Sequence, residues 1–126
     1  MTQEDRQILL KDLSSRLPYG VRYRRFAWDD EREEECISAK IYSISPDGYV
    51  RNYHEDESDY IDNVRPYLFP LSSMSEEQKI ELEQIKNNED ASYCHDINDF
   101  FLKYHLDNRH LIEKGLAIDA TELNIY

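Results

Sequence analysis

The side chains best suited to metal or nucleophilic chemistry are crowded into one part of this 126-residue chain, where Cys94, His95, His105 and His110 occur close together. Thiolate and imidazole are the usual zinc ligands, but this spacing fits neither common zinc pattern, and the adjacent Cys94 and His95 would have difficulty reaching one tetrahedral ion. As a nucleophile and its base the same pair fails for a related reason. Neighbours in sequence tend to point apart, and no third residue is evident to orient the imidazole. The chain has no GxSxG, P-loop or HExxH, and its three glycines, Gly20, Gly48 and Gly115, cannot build a phosphate cradle. The acidic runs lack the Asp-x-Asp-x-Asp-Gly order of a calcium loop. The expectation is a protein that is not an enzyme and that carries no metal and no cofactor.

A second constellation is Tyr19, Arg22, Tyr23, Arg24, Arg25, Phe26 and Trp28, in which cations alternate with aromatic rings. Single strands bind such platforms through phosphate pairing and base stacking, which makes Arg22, Tyr23, Arg24, Arg25 and Trp28 candidate nucleic-acid contacts. The opposing account puts Tyr23, Phe26 and Trp28 in the core and pairs the arginines with nearby acids.

Those acids form the third constellation. Residues 1–28 carry six basic and three acidic side chains, residues 29–62 three and twelve, and residues 63–126 six and twelve, so a net charge of −12 is concentrated in the second stretch. Asp29, Asp30, Glu31, Glu33, Glu34 and Glu35 lie in one polar run, and Glu55, Asp56, Glu57, Asp59 and Asp62 in another. Such charge repels phosphate and anionic lipid at long range; it favours a basic protein partner or serves only solubility.

The elements that must position these groups are legible from period and punctuation. Leu9, Leu13 and Leu17 mark an amphipathic helix, with Thr2 as N-cap, Glu4 and Asp5 at its positive end, and Pro18 and Gly20 ending it. Alternation of Val21 and Tyr23, then of Ile37, Ala39 and Ile41, gives two strands. Ser45-Pro46-Asp47-Gly48 is turn chemistry leading into a third strand from Tyr49 to Tyr53. Residues 65–71, with apolar side chains between Pro66 and Pro70, read as an extended strap that crosses the core, packs Tyr67, Leu68 and Phe69 against it, and links strands to helices. Ser75 and Gln78 match a capping box for a helix over 76–86. Asp96 or Asn98 caps another that buries Ile97, Phe100, Phe101 and Tyr104, and residues 111–115 give one short helical turn closed by Gly115. The expectation is a single α+β domain over 1–126, comprising a helix (1–20), a β-rich part (21–71), a helical part (72–118) and a tail (119–126). Its architecture is a small bent antiparallel sheet or SH3-like barrel of three to five strands followed by two or three helices.

No apolar run approaches a membrane span and the acidic N-terminus is unlike a signal peptide, so a cytoplasmic protein with no membrane partner is expected. Cys36 and Cys94 are outside any CxxC spacing and read as reduced thiols.

The run Arg65-Pro66-Tyr67-Leu68-Phe69-Pro70-Leu71-Ser72-Ser73-Met74-Ser75-Glu76-Glu77 resembles a family of small uncharacterised proteins from gut bacteria of the Bacteroides group, often encoded near prophages and mobile elements. Leu9-Leu10-Lys11-Asp12-Leu13, Arg16-Leu17-Pro18-Tyr19-Gly20-Val21, Asp99-Phe100-Phe101 with His105, and Leu111-Ile112-Glu113-Lys114-Gly115-Leu116-Ala117 extend the likeness. The resemblance implies one intact cytoplasmic domain and names no catalytic residue. Residues 29–62 resemble the family least, and Asp107-Asn108-Arg109-His110 lacks the Gly that the resemblance leads one to expect before Leu111. The function expected is that of an acidic, non-catalytic protein-interaction module with a basic protein partner, associated with mobile elements. A single-stranded nucleic-acid protein using strand 19–28 is the alternative, and an enzyme of another type the third reading.

Overall fold

The computed structural model describes residues 1–25, 39–52, 58–87 and 93–126. Helix α1 (Gln3–Arg16) opens on a reciprocal cap, in which the Thr2 hydroxyl accepts from the Asp5 N–H and the Asp5 carboxylate accepts from the Thr2 N–H. A turn of 3-10 helix over Leu17–Tyr19 follows, with Pro18 early in it, and Gly20 ends it at φ +74°. Leu9 and Leu13 are fully buried, with Ile8, Leu10 and Leu17 packed beside them.

The strands are β1 (Arg22–Arg25), β2 (Ala39–Ile44), β3 (Tyr49–Asn52), β4 (Ser58–Tyr60), β5 (Val64–Leu68) and β6 (Ile118–Asp119). They form an open sheet in the order β4-β3-β2-β1-β5-β6, so the α+β class is found, with six strands among the described residues. This corrects the expected three to five strands and the SH3-like barrel. Closure would need the two edges to pair, yet β4 and β6 are short outer strands at opposite sides of the sheet. All pairs are antiparallel except β5–β6, which the long helical crossover between them allows to run parallel.

Burial alternates along the sheet. Val21, Tyr23, Ile41, Val50, Ile61, Val64 and Leu68 face α1 and, with Leu111 and Leu116, make the main core. Ile41 and Ile44 both turn inward although an odd spacing separates them. The register slips by one residue between Ile41 and Ser43, leaving Tyr42 unpaired and restoring the phase. The expected turn joins β2 to β3, with Gly48 at φ +91° and its N–H bonded to the Ser45 carbonyl at 3.1 Å. A Cβ on Gly48 would also meet the Tyr60 ring at 3.3 Å.

The segment read as a strap is an interior strand. Tyr67 and Leu68 are buried, and Phe69 is half-buried, as expected, but Val64–Leu68 pairs with β1 and β6 on its two sides. Pro66 sits opposite Tyr23 and brings no N–H. One position further along this seam the tail repairs the ladder. The Tyr126 hydroxyl accepts from the Arg22 N–H at 2.9 Å and donates to the Tyr67 carbonyl at 2.8 Å, filling the place of a direct strand bond. The tail, which carries no strong signal in the sequence, thus supplies half of β6 and this plug.

Helix α2 (Glu76–Lys86) has the expected Ser75–Gln78 box. Helix α3 (Tyr93–Lys103) begins earlier than the Asp96 or Asn98 cap expected for it, so both residues are helical. Between them lies a second apolar cluster of Leu82, Phe100 and Leu106, joined by Phe69, Leu71, Met74, Ile85, Ile97, Phe101 and Tyr104. Residues 111–115 form a hydrogen-bonded turn rather than a helix. The buried Asp107 carboxylate accepts from the N–H groups of Leu111 and Ile112 at 2.7 and 3.0 Å, and Gly115 closes the turn at φ +73°. His110, where the resemblance leads one to expect Gly, takes φ +59°. This left-handed conformation crowds the His110 Cβ against its own backbone, a cost that a glycine does not carry.

A fully buried ion pair within α1 is the anchor by which the helix holds this C-terminal segment. The Asp12 carboxylate accepts from Arg16 Nε at 2.8 Å and from Arg109 Nε at 3.1 Å, while Arg16 Nη2 donates to the Leu106 carbonyl at 2.6 Å and to Asn108 Oδ1 at 2.9 Å. Neither Asp12 nor Arg16 has exposed side-chain surface. Replacing Arg16 by Met strands the Asp12 charge against one remaining, partly exposed guanidinium and should lower unfolding free energy by about 3–5 kcal/mol in chemical denaturation. His110→Gly, which relieves a left-handed non-glycine residue, should raise it by about 1 kcal/mol in the same assay.

Candidate functional site

Because β1 to β4 are mutually antiparallel neighbours, the strand ends flanking 26–38 (Arg25 and Ala39) and those flanking 53–57 (Asn52 and Ser58) all lie at one end of the sheet. A buried hydrogen-bond chain stabilises that end. Tyr23, only 1% exposed, donates its hydroxyl to Asp59 at 2.6 Å, and Asn52 donates to the Tyr23 oxygen at 3.1 Å. The chain crosses β1, β3 and β4. It ties together the strands from which the two connections leave.

The proposed acidic residues divide accordingly. Asp29, Asp30, Glu31, Glu33, Glu34, Glu35, Glu55, Asp56 and Glu57 lie outside the described residues. Asp59 is no part of an exposed lobe: it is 8% exposed, and its carboxylate accepts from Tyr23. Asp62 lies beyond the far end of β4, where Arg6 donates to both of its oxygens at 2.8 and 3.0 Å. That bond holds the Asp62 carboxyl below the usual carboxylate range.

The basic aromatic strand also divides. Tyr23 is a core residue and cannot stack on a base, because β1 alternates and Val21 and Tyr23 take its inner face. Arg22 and Arg24 are half-buried on the outer face. Arg25 ends β1 and its side chain lies outside the description, as does Trp28 altogether. The Tyr19 hydroxyl donates to Asp99, joining the end of α1 to α3.

Among the described residues the histidines do not gather into one site. Cys94 and His95 open α3, with side chains outside the description; His110 is exposed, and among the described residues no three His, Cys, Asp or Glu side chains gather around a point suited to a metal. His105 has a different setting that sequence reasoning missed. It lines a cleft of about 460 Å³ with Phe69, Ser73, Lys103, Tyr104, Thr121 and Tyr126, among others. Its ring stacks on Tyr126, with centroids 3.7 Å apart and planes 14° from parallel. Burial, helped by the Arg16 charge, pulls the His105 pKa down to about 4, so the ring is neutral at pH 7. Nδ1 is buried without a hydrogen-bond partner. Burial of its hydroxyl pushes Tyr126 up to about 12. Lys103 is engaged with Glu81 at 2.8 Å. The described groups of this cleft therefore offer a neutral imidazole and a protonated phenol, with no activated nucleophile. The one sequence signal for the pairing was the single aromatic residue of the tail, and nothing local relates Tyr126 to His105.

No family model, curated protein or solved structure matches the chain.

His105 generates a pH dependence whose sign is fixed. An unfolded imidazole gains its proton near pH 6.5, but the folded one does so only near 4. Stability is therefore undiminished above about pH 6.5 and falls as pH drops from there toward 4, by up to about 1.4 kcal/mol per pH unit from this group. His105→Asn, which tolerates the observed φ of +55°, should flatten that part of the profile relative to the parent in denaturation titrations.

Proposed function

We propose that the protein is a non-catalytic interaction module that engages a basic protein partner through acids grouped at one end of its sheet. The observation that carries this reading is the common origin of two acidic connections: 26–38 contains six carboxylates and one arginine, and 53–57 contains three carboxylates, in a chain of net charge −12. Antiparallel pairing gives both connections the same end of the sheet. Grouped negative charge draws a basic surface into encounter over a Debye length of about 10 Å. The chemistry of the His105 cleft is compatible with a binding role, since its imidazole is neutral and its Tyr126 phenol is held protonated. Residence in the cytoplasm and association with mobile elements belong to the same proposal and rest on composition and on the resemblance noted above. No described helix is long and apolar enough to cross a membrane.

Amide replacement of Asp29, Asp30, Glu31, Glu33, Glu34, Glu35, Glu55, Asp56 and Glu57 tests the proposal. Relief of self-repulsion should leave the melting temperature unchanged or raise it, more clearly at low salt. Salt-sensitive capture of basic proteins should disappear, chiefly through slower association. Retention of every captured partner would reduce these acids to a solubility feature.

A further inference from the structure

The cleft beside His105 is built on fixed backbone. Phe69 bridges to Leu106, its N–H donating to the His105 carbonyl and its carbonyl accepting from the Asp107 N–H, each at 2.8 Å. Tyr126 is held from the other side by its bonds at the β1–β5 seam. The space of about 460 Å³ between them is therefore formed before any ligand arrives, and it lies within the size range of small-molecule pockets. Rings dominate its wall: Phe69 and Tyr126 have centroids 5.9 Å apart, and Tyr104 and His105 join them. Tyr126 covers one face of His105 yet is itself 42% exposed, which leaves aromatic surface at the cleft. Most polar groups of the wall are already committed. Ser75 and Gln78 cap α2, Ser73 donates to the Pro70 carbonyl, Thr121 donates to Asp119, and Lys103 and Tyr104 are both engaged by Glu81. The imidazole is the exception. Its Nδ1 is buried without a partner, and the Arg16 charge acting on the ring disfavours a proton there, so the proton resides on Nε2, at the edge left to line the cleft. No carboxylate lines this cleft among the described residues; Asp119 and Glu122 belong to the adjoining hollow beside Pro70.

We propose that this cleft binds an uncharged, flat aromatic compound of one or two rings, packed against Phe69 and Tyr126 and accepting a hydrogen bond from His105 Nε2. Each attribute of the ligand follows from the wall. Flatness suits a site bounded by aromatic rings, where offset or edge-on packing adds to the area buried. An acceptor on the ligand suits an imidazole N–H that the protein itself leaves unused, because a buried polar group gains most from the partner it lacks. Neutrality follows from charge. The Lys103 ammonium is spent on Glu81, so an anion would find no free cation in the wall while approaching a chain of net charge −12. A cation would find no carboxylate there. The cleft uses the end of β5, α3 and the tail, and none of the acids assigned to the basic partner, so either reading stands without the other.

Titration of the full chain with adenine and with benzamide, followed by NMR correlation of the imidazole nitrogens with their ring protons, tests the proposal. The free protein at pH 7 should show His105 as the Nε2–H tautomer. Adenine should shift the His105 resonances saturably, with a dissociation constant of about 1 mM or tighter, and leave the exposed His110 unmoved. Benzamide should compete for the same site. Cyclohexanecarboxamide carries the same acceptor on a puckered ring, and benzoate the same ring with a charge; each should bind at least about tenfold more weakly than benzamide. Thr121→Phe, at an exposed position on the rim, should block adenine with no change in melting temperature. His105→Asn, which accepts the left-handed backbone, should weaken adenine by about tenfold. Absence of a saturable His105 shift with either probe at about 10 mM overturns the proposal. Equal binding of cyclohexanecarboxamide or benzoate overturns the flat, uncharged ligand class, and undiminished binding to Thr121→Phe overturns the location.

Discussion

An ion pair without solvent contact, Asp12 with Arg16, is the constraint around which the two ends of this chain are arranged. Taking two such charges out of water costs several kcal/mol each, and the cost is tolerable only when further polar groups complete their coordination. The Leu106 carbonyl, Asn108 and Arg109 supply most of them, leaving Arg16 Nη1 buried without a partner, and all three come from the segment after α3. The C-terminal turn must therefore dock on α1 for α1 to be buried at all. Asp107 then organises the turn, and His110 accepts a left-handed backbone so that Leu111 can reach the main core. The second apolar cluster is anchored beside the first through the same segment, since Leu106 belongs to the former and Leu111 to the latter.

A comparable dependence runs through the β1–β5 seam. Pro66 is an unusual residue for an interior strand because it cannot donate to its neighbour. The phenol of Tyr126 closes the adjacent gap between Arg22 and Tyr67, and its ring in turn covers His105 and lies near Phe69. One tail side chain thereby links the sheet, the cleft and the second cluster. Desolvation keeps both partners of the stack in their uncharged forms at neutral pH, which suits a packed interface better than a reactive centre.

Topology sets where the acidic connections leave the sheet and which strand residues share a face. The antiparallel meander gives the acidic connections a common end, while alternation along β1 to β4 gives tyrosines and cations a common face. The net value describes long-range solubility, and individual strand faces determine what is met at contact distance.

Much of the local structure followed from sequence alone. The Thr2 and Ser75 caps, the Leu9–Leu13 stripe, the turn at Gly48 and the burial of Tyr67 and Leu68 are each set by residues within a few positions of one another, so period and punctuation reveal them. That the strand ends flanking 26–38 and 53–57 share one end of the sheet was likewise legible once antiparallel strands were inferred, because it needs only connectivity. What remained hidden depends on pairs distant in the chain. Tyr23 looked as fit for an exposed platform as for the core until Asp59 and Asn52 supplied partners for its hydroxyl. Asp59 looked like one more surface acid for the same reason. The strand character of residues 64–68 required β1 on one side and the tail on the other, and two prolines nearby argued against it locally. The register of β2 against β3 depended on a one-residue slip at Tyr42 whose only trace in the sequence was the odd spacing of Ile41 and Ile44. Sequence fixes which groups are available and the local geometry in which they begin. Tertiary structure decides which of them lose water, because that depends on partners that only the folded chain brings within hydrogen-bonding distance.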